Sequence, residues 1–251
     1  MRGFSKITAI LTLLLGLVLH APAKAADNIA VYELFTSAGC GDAVAADEIF
    51  EKIAQLNHEN LIALSCHLTF FDNRIQDPHS KHFCDYRYDQ YSEHVMTEAG
   101  TPQVVINGRF DTSGTRENIV RDALALAHSL DTVRAVALAL DEDSLHIALP
   151  HLRFAEDKPV DVWLLAYKKQ EEEKDMATLL TGEGHHYINI VTEIKKLLEW
   201  DGEYRNLNVP LADFPADGYA VIAQYAEHSD ILAAGKIEKA PKPLSSNPDR
   251  E

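Results

Sequence analysis

Residues 36–47 read TSAGCGDAVAAD and place a cysteine, Cys40, between two contrasting patterns. The run before it, IAVYELF, has the composition of a strand, and the run after it, AADEIFEKIAQL, has helical periodicity. A thiol at the start of a helix faces unpaired backbone N–H groups and the positive end of the helix dipole, which favour the thiolate form. Gly39 and Gly41 permit a tight turn that exposes the sulfur, whereas Asp42 places an opposing charge beside it. The pattern predicts a nucleophilic thiol, less activated than its position alone would make it.

The two ends of the chain are predicted to lie outside the folded part. Arg2 and Lys6 precede the apolar run ILTLLLGLVL, and residues 23–25, AKA, offer small residues at the positions that a signal peptidase reads. The run is too short to span a bilayer comfortably. We therefore interpret residues 1–25 as a signal peptide and expect secretion, into the periplasm. Residues 241–251 are rich in Pro and Ser and predict a disordered tail.

The composition is acidic, with 39 Asp and Glu against 23 Lys and Arg and a formal net charge of −16 at pH 7. Nucleic acids and anionic membranes are themselves negatively charged, so neither is expected as a partner. No stretch after the predicted signal peptide is long and apolar enough for a membrane helix, and we expect no membrane insertion after cleavage.

The apolar periodicity changes near residue 130, which predicts two domains. Strand-like and helix-like runs alternate over residues 27–130, as in an α/β domain with a partly parallel sheet, and a helical insertion occupies about residues 72–99. Residues 131–240 consist of short runs separated by turn residues, which predict a mostly antiparallel, sandwich-like β domain. The run from Ile188 to Trp200 fits a helix as well as a strand.

A proline directly before a strand-like run is the second informative feature. Thr101, Pro102 and Gln103 precede VVIN, where a proline cannot serve as a central ladder residue. A small or β-branched residue, then proline, then a strand, downstream of a strand–loop–Cys–helix, resembles the thioredoxin fold. That resemblance implies a cis Thr101–Pro102 bond against Cys40. It also implies that Pro102 orients the backbone of a partner and that Thr101 supports the site.

Four motifs carry a closer resemblance. ELFTSAGCGDAVAAD resembles the opening motif of a secreted thioredoxin-like family catalogued as domain of unknown function 1223, which runs Glu-Leu-Phe-Thr-Ser-x-Gly-Cys-x-x-Cys-Pro-Pro-Ala-Asp. ALSCHLTFFD, TPQVVINGR and TGEGHHYINIV are similar to its later motifs, so the resemblance spans most of the mature chain. It implies an α/β thioredoxin-like part followed by a mostly β part, with His67 at the place of a family histidine.

The chain departs from that family at the second cysteine. The resemblance aligns Ala43 with the partner thiol, and Val44 and Ala45 with the two prolines. A Cys-x-x-Cys pair stores two electrons in a reversible local disulfide, which Cys-Gly-Asp-Ala cannot form. The expected protein is therefore thioredoxin-like but lacks the usual dithiol chemistry.

Cys66 and Cys84 supply two further thiols, and three pairings are possible among the three cysteines. A Cys66–Cys84 disulfide would pin the insertion and leave Cys40 free, as suits an oxidising compartment. A bond from Cys40 to either of the others would instead make a redox pair from residues far apart in sequence. Three unpaired cysteines without a redox role are the remaining alternative.

Other polar residues near these thiols have simple interpretations. His67, His79 and His82 could join cysteines at a zinc or copper ion, but their spacing fits no standard site, and we predict no metal and no cofactor. The family resemblance also places acids at Asp72 and Asp77, although aspartates in an exposed loop commonly serve only as turn formers.

The tyrosine-rich stretch FCDYRYDQYSEH, residues 83–94, suits either a protein-binding face or a helix packed over the sheet. Its aromatic residues, Phe83, Tyr86, Tyr88 and Tyr91, include pairs at the i, i+3 spacing of a buried helical face, which favours packing.

These patterns favour a single-cysteine thiol–disulfide protein, with protein thiols or disulfides as partners. Cys40 would attack a disulfide or accept a mixed disulfide. The alternative is a non-catalytic protein-binding module, or a Cys/His metal-binding protein, on a degenerate thioredoxin fold. The lone thiol separates these hypotheses, because Cys40 permits mixed-disulfide chemistry while Ala43 removes the usual release step.

Overall fold

The computed structural model describes residues 29–57, 59–130, 132–173 and 185–240. The predicted signal peptide and the predicted tail lie outside these residues, as does the start of the TGEGHHYINIV motif.

The described residues form twelve strands, three α-helices and one 3₁₀ turn. Their bounds in chain order are β1 (Ala30–Thr36), α1 (Ala43–Leu56), β2 (Leu61–His67), the 3₁₀ turn (Thr69–Phe71), α2 (His82–His94), β3 (Gln103–Ile106), β4 (Phe110–Ser113), α3 (Glu117–Leu130), β5 (Arg134–Ala135), β6 (Ala137–Leu140), β7 (Ser144–Leu149), β8 (Val160–Glu173), β9 (His185–Trp200), β10 (Arg205–Pro210), β11 (Gly218–Tyr225) and β12 (Ile231–Glu238).

Nine of these strands form one large, mostly antiparallel sheet in the order β4-β3-β1-β2-β9-β8-β11-β12-β5. The fold is thus a mixed α/β architecture with few helices. β1 runs parallel to β2 and antiparallel to β3, and β2 meets β9 in parallel at Ser65 and Ile190. Strands from before and after the predicted boundary near residue 130 therefore share one sheet. A second sheet of three strands has the order β10-β7-β6.

Apolar residues of β1 and β2 face both ways, because helices cover both sides of this part of the sheet. α1 and α3 pack on one face, where Leu34 and Phe50 are buried. α2 packs on the other face, where Phe35 and Tyr91 are buried. A third core lies between the small sheet and β8, β11 and β12.

The ambiguous run from Ile188 to Trp200 is a strand. It belongs to β9, which pairs with β8 from the Glu173–His185 pair to the Val160–Trp200 pair, and this long hairpin ladder outweighs the local helical pattern. β9 also includes His185 and His186, at its start.

Candidate functional site

Cys40 lies in the loop between β1 and α1 and is partly exposed. Its N–H donates to Ser37 O at 2.9 Å, and its carbonyl accepts the Ala43 N–H at 3.1 Å, so two tight turns shape the loop. The N-cap of α1 is Asp42, and the helix begins at Ala43. Cys40 therefore stands just before the helix and not within its first turn, where the free N–H groups lie.

The thiol of Cys40 faces the Thr101–Pro102 peptide bond, which is cis, as the resemblance implied. Sγ donates a hydrogen bond to Thr101 O at 3.2 Å. The two loops meet because the end of β1 pairs with the start of β3, with Phe35 opposite Gln103. The sheet thus brings together residues that are 61 positions apart in the chain.

A groove of about 400 Å³ runs beside this peptide bond. Its walls are Asp42 from the Cys40 loop, residues 97–103, and residues in and after β4. Asp111, on β4, accepts hydrogen bonds from Thr97 Oγ1 at 3.0 Å and from Gln103 Nε2 at 2.9 Å, which ties the two longer walls together.

Cys66 and Cys84 form a disulfide, and Cys40 is free. The bond joins β2 to α2 and so pins the predicted insertion, in agreement with the first of the three pairings. Both half-cystines are buried, with 2% and 0% of their surface exposed. A disulfide of this kind indicates a non-cytoplasmic location. No helix of the described residues is long and apolar enough to cross a membrane.

Asp77 is buried, with 2% of its surface exposed, although the sequence suggested an exposed turn former. Its Oδ2 accepts the Ala38 N–H and the ring Nδ1 of His67, both at 2.8 Å, and its Oδ1 accepts the His79 N–H at 2.9 Å. Burial raises the pKa of this carboxyl, but the hydrogen bond and charge of His67 and the two backbone hydrogen bonds outweigh it and hold the pKa at about 2. The interpretation of Asp77 as an exposed residue was therefore wrong, because its three donors compensate its burial.

The segment from Asp72 to Ser80, which we call the covering segment, holds Asp77 in place. Asp72 accepts the Asp77 N–H at 3.1 Å through Oδ1 and the Ser80 hydroxyl at 2.6 Å through Oδ2. Just before it, the Cβ atom of Phe71 would lie 2.5 Å from a Cβ atom added to Gly39. Gly39 is therefore required by a close approach to this part of the chain.

His67 ends β2 and is fully buried. Its Nδ1 is bonded to Asp77, while its Nε2 has no hydrogen-bond partner among the described residues. The rings of His79 and Tyr187 pack edge-on against it at centroid distances of 5.4 and 4.8 Å. His67 is thus linked to the Cys40 loop through Asp77, which also accepts the Ala38 N–H.

Helix α2 contacts the site through Tyr88, whose hydroxyl donates to Gly100 O at 2.9 Å. The packing interpretation of the tyrosine-rich stretch is confirmed for Tyr88 and Tyr91, which are 5% and 0% exposed. It was wrong for Tyr86, which is 57% exposed, because the buried face of α2 runs through Cys84, Tyr88 and Tyr91.

A buried ion pair joins Glu33 on β1 to Arg87 on α2, and the sequence patterns did not predict it. Arg87 donates to both carboxylate oxygens of Glu33, and each side chain is almost fully buried. The sequence of β1 did contain an indication of this pair, because a lone acid in the buried strand AVYELFT requires a partner.

Nothing among the described residues resembles a metal centre: they contain no group of three or more His, Cys, Asp or Glu side chains that could hold an ion. His82, one of the candidate ligands, is exposed and contacts Asp85.

Residues 31–224 match a family described as protein of unknown function, DUF1223. No curated protein matches the chain. Among solved structures, a crystal structure of a protein from Agrobacterium tumefaciens is 22% identical, with 88% of this chain and 99% of that chain covered and a TM-score of 0.73. HBP35 of Porphyromonas gingivalis is 13% identical, with 89% and 81% covered and a TM-score of 0.60. These identities show a shared fold only. Because the family match covers well over half of its length, the chain belongs to the DUF1223 family.

Proposed function

We propose that this protein is a thioredoxin-like thiol–disulfide protein of the periplasm that acts through a single cysteine, Cys40. The observation that carries the proposal is the contact between the free, partly exposed thiol of Cys40 and the carbonyl of Thr101, 3.2 Å away beside an open groove. A thiol so placed can meet the sulfur of a partner whose backbone lies along the Thr101–Pro102 segment.

The order of the elements supports a thioredoxin-like unit. β1, α1 and β2 form a parallel β-α-β unit, and after α2 the chain adds the antiparallel β3 and β4 and then α3. The resulting strand order β4-β3-β1-β2, with a cysteine after β1 and a cis proline before β3, resembles the thioredoxin arrangement.

The chemistry begins when Cys40 loses its proton and leaves Thr101 O. The thiolate attacks one sulfur of a disulfide, a new bond forms to Cys40, and the second sulfur departs as a thiolate that takes up a proton. Thr101 O is then open to accept an N–H from the partner. Ala43 cannot resolve the product, and Cys66 and Cys84 are bonded to each other. The mixed disulfide should therefore persist until a second thiol arrives.

The periplasmic location is supported by the predicted signal peptide and by the buried disulfide between Cys66 and Cys84. The thiol of Cys40 would meet oxidised partners in that compartment.

The test is incubation of the mature protein with oxidised glutathione, followed by intact-mass measurement and peptide mapping. We expect one glutathione adduct on Cys40 and none on a Cys40→Ser variant, with the Cys66–Cys84 bond unchanged. A folded wild-type protein that forms no adduct would contradict the proposal and would favour a binding module that has kept the fold and lost the chemistry.

A further inference from the structure

We infer that Asp77 is the positioning residue of the Cys40 loop: its carboxylate, held by His67, fixes where the thiol stands against Thr101. The inference rests on the proposed function, because the position of the thiol matters only if Cys40 reacts with a partner lying along the Thr101–Pro102 segment.

Three donors converge on the two oxygens of Asp77. Oδ2 receives the Ala38 N–H and His67 Nδ1, and Oδ1 receives the His79 N–H. An ionised carboxylate only accepts hydrogen bonds, so His67 must carry its proton on Nδ1 and donate it. All three contacts therefore point the same way, from donor to carboxylate.

No isosteric side chain can replace this carboxylate. An asparagine offers one oxygen and one NH₂ group, so either the His79 N–H or the Ala38 N–H would face another donor, even where His67 moves its proton to Nε2 and accepts at Nδ1. A buried donor without an acceptor is destabilising, and the loop can relieve that cost by moving away. The site thus requires the two acceptor oxygens of a carboxylate as well as a side chain of this size.

The hydrogen bond to Ala38 constrains Cys40 directly, because both residues belong to the same tight turn. Ala38 lies two residues before the thiol, and the residue before it, Ser37, accepts the Cys40 N–H at 2.9 Å. Phe71 packs against Gly39 and leaves no room for the chain to shift in that direction. The hydrogen bond from the Ala38 N–H to Asp77 consequently helps to fix the position of the Cys40 loop.

The chain offers a matched pair of variants, Asp77→Asn and Asp72→Asn. Each removes one negative charge from the covering segment without changing side-chain volume. In Asp72→Asn the amide oxygen can still accept the Asp77 N–H, and the NH₂ group can donate to Ser80, whose hydroxyl can donate to Asp77 O, an acceptor 2.9 Å away. Only Asp77→Asn creates a clash between donors.

Two readouts follow the position of the loop. One is the ratio between the rate of mixed-disulfide formation at Cys40 with oxidised glutathione and its rate of alkylation by iodoacetamide, which needs no alignment with Thr101. We expect Asp77→Asn to lower this ratio by about tenfold or more, since a misplacement of ~1 Å can cost on the order of 100-fold. We expect Asp72→Asn to stay within about twofold of wild type. The second readout is hydrogen exchange of the Ala38 amide, which should accelerate in Asp77→Asn alone.

An unchanged ratio in a destabilised Asp77→Asn protein would mean that Asp77 is merely structural and would overturn the inference. Equal falls in both variants would overturn it too, because charge alone would explain them. If Asp77→Asn does not fold, His67→Leu and His67→Asn replace it. The leucine variant should lower the ratio, and the asparagine variant, which can donate to Asp77, should restore it. Equal ratios in these two variants would refute the inference. If the wild type forms no adduct, the proposed function fails, and exchange of the Ala38 amide still decides whether Asp77 holds the loop.

Discussion

Arg87 and Glu33 form a buried, bidentate ion pair where α2 packs over β1. Nε and Nη2 of Arg87 donate to the two carboxylate oxygens at 2.5 and 2.9 Å, and the two side chains are 1% and 2% exposed. The Tyr91 hydroxyl donates to Glu33 Oε2 at 2.6 Å. Burial, opposed by the Arg87 cation and reinforced by Glu33, raises the pKa of Tyr91 well above its ordinary value, so this hydroxyl remains a donor.

Replacing Arg87 should therefore destabilise the fold strongly. Arg87→Leu leaves the Glu33 carboxylate buried without a cation, and we expect a loss of about 3–5 kcal/mol in the free energy of unfolding. The double variant Glu33→Leu/Arg87→Leu should recover much of that loss, because no charge stays buried. Urea unfolding measures both effects.

The exposed pair of Lys52 and Glu117, with side chains 57% and 32% exposed, provides the control. Lys52→Ala should cost less than about 1 kcal/mol. An Arg87→Leu protein no less stable than Lys52→Ala would show that the buried pair contributes nothing.

His228 should make the protein sensitive to acid. It is buried in the turn between β11 and β12, against the rings of Tyr86, Tyr91 and Trp163. Burial and the nearby Arg87 cation lower the pKa of His228 from 6.5 to about 3, against the opposing effect of a backbone hydrogen bond with Ala226.

The direction of this pH dependence follows from proton binding at His228. Below pH 6.5 the unfolded chain binds a proton at His228 that the folded protein does not, so the stabilisation is complete above pH 6.5 and is lost as the pH falls towards 3. At pH 5 the loss should be about 2 kcal/mol. His228→Asn, which suits the local φ of 48°, should remove this part of the acid sensitivity.

Urea unfolding at pH 7.5 and pH 5 tests the prediction. The control is His151→Asn, because the His151 side chain is 66% exposed and its ion-pair partner, Glu203, is 71% exposed. Equal pH dependence in wild type and His228→Asn would contradict it.

The sequence was most informative where local chemistry decides the structure. The tight turn around Cys40 and the proline before β3 are both encoded by a few adjacent residues, and the structure places them in contact. The Cys66–Cys84 bond was one of three possibilities, because the sequence gives no distance between β2 and α2.

Contacts between residues far apart in the chain could not be predicted from the sequence in the same way. Arg87 lies in a helix of mixed polarity, and its burial depends on Glu33, 54 residues earlier. Asp77 has the local sequence of an exposed turn, and only the approach of Ala38 and His67 makes it a buried acceptor. The pairing of β2 with β9 involves residues 125 positions apart at Ser65 and Ile190, and no local periodicity reports it.

Cys40 should be the single thiol that reacts in the native protein. Cys66 and Cys84 are bonded and almost fully buried, so iodoacetamide should label one site per chain, and peptide mapping should place it at Cys40. Cys40→Ser should take up no label before denaturation and reduction. Labelling of Cys66 or Cys84 in the folded, unreduced protein would contradict the assignment of the nucleophile.

A second thiol can be introduced at Ala43. The Ala43 N–H bonds to Cys40 O at 3.1 Å, so residues 40–43 form one tight turn. Such a turn brings its first and fourth Cα atoms within about 7 Å, close to the upper end of the usual span of a disulfide. Ala43 is 2% exposed and begins α1, which would hold an introduced sulfur in a fixed place.

Ala43→Cys should therefore close a local disulfide with Cys40 and convert the site to dithiol chemistry. The mixed disulfide on Cys40 would gain an intramolecular attacker, whose effective concentration far exceeds that of a free thiol, so turnover of oxidised glutathione with a dithiol reductant should rise well above wild type. Adding Cys40→Ser should abolish the gain. Ala45→Cys is the matched control, because Ala45 is exposed and lies about 200° around the helix from Ala43, where a sulfur should point away from Cys40. A folded Ala43→Cys protein with neither the new disulfide nor a gain over Ala45→Cys would show that the loop lacks the geometry for dithiol chemistry, and the binding-module hypothesis would then be preferred.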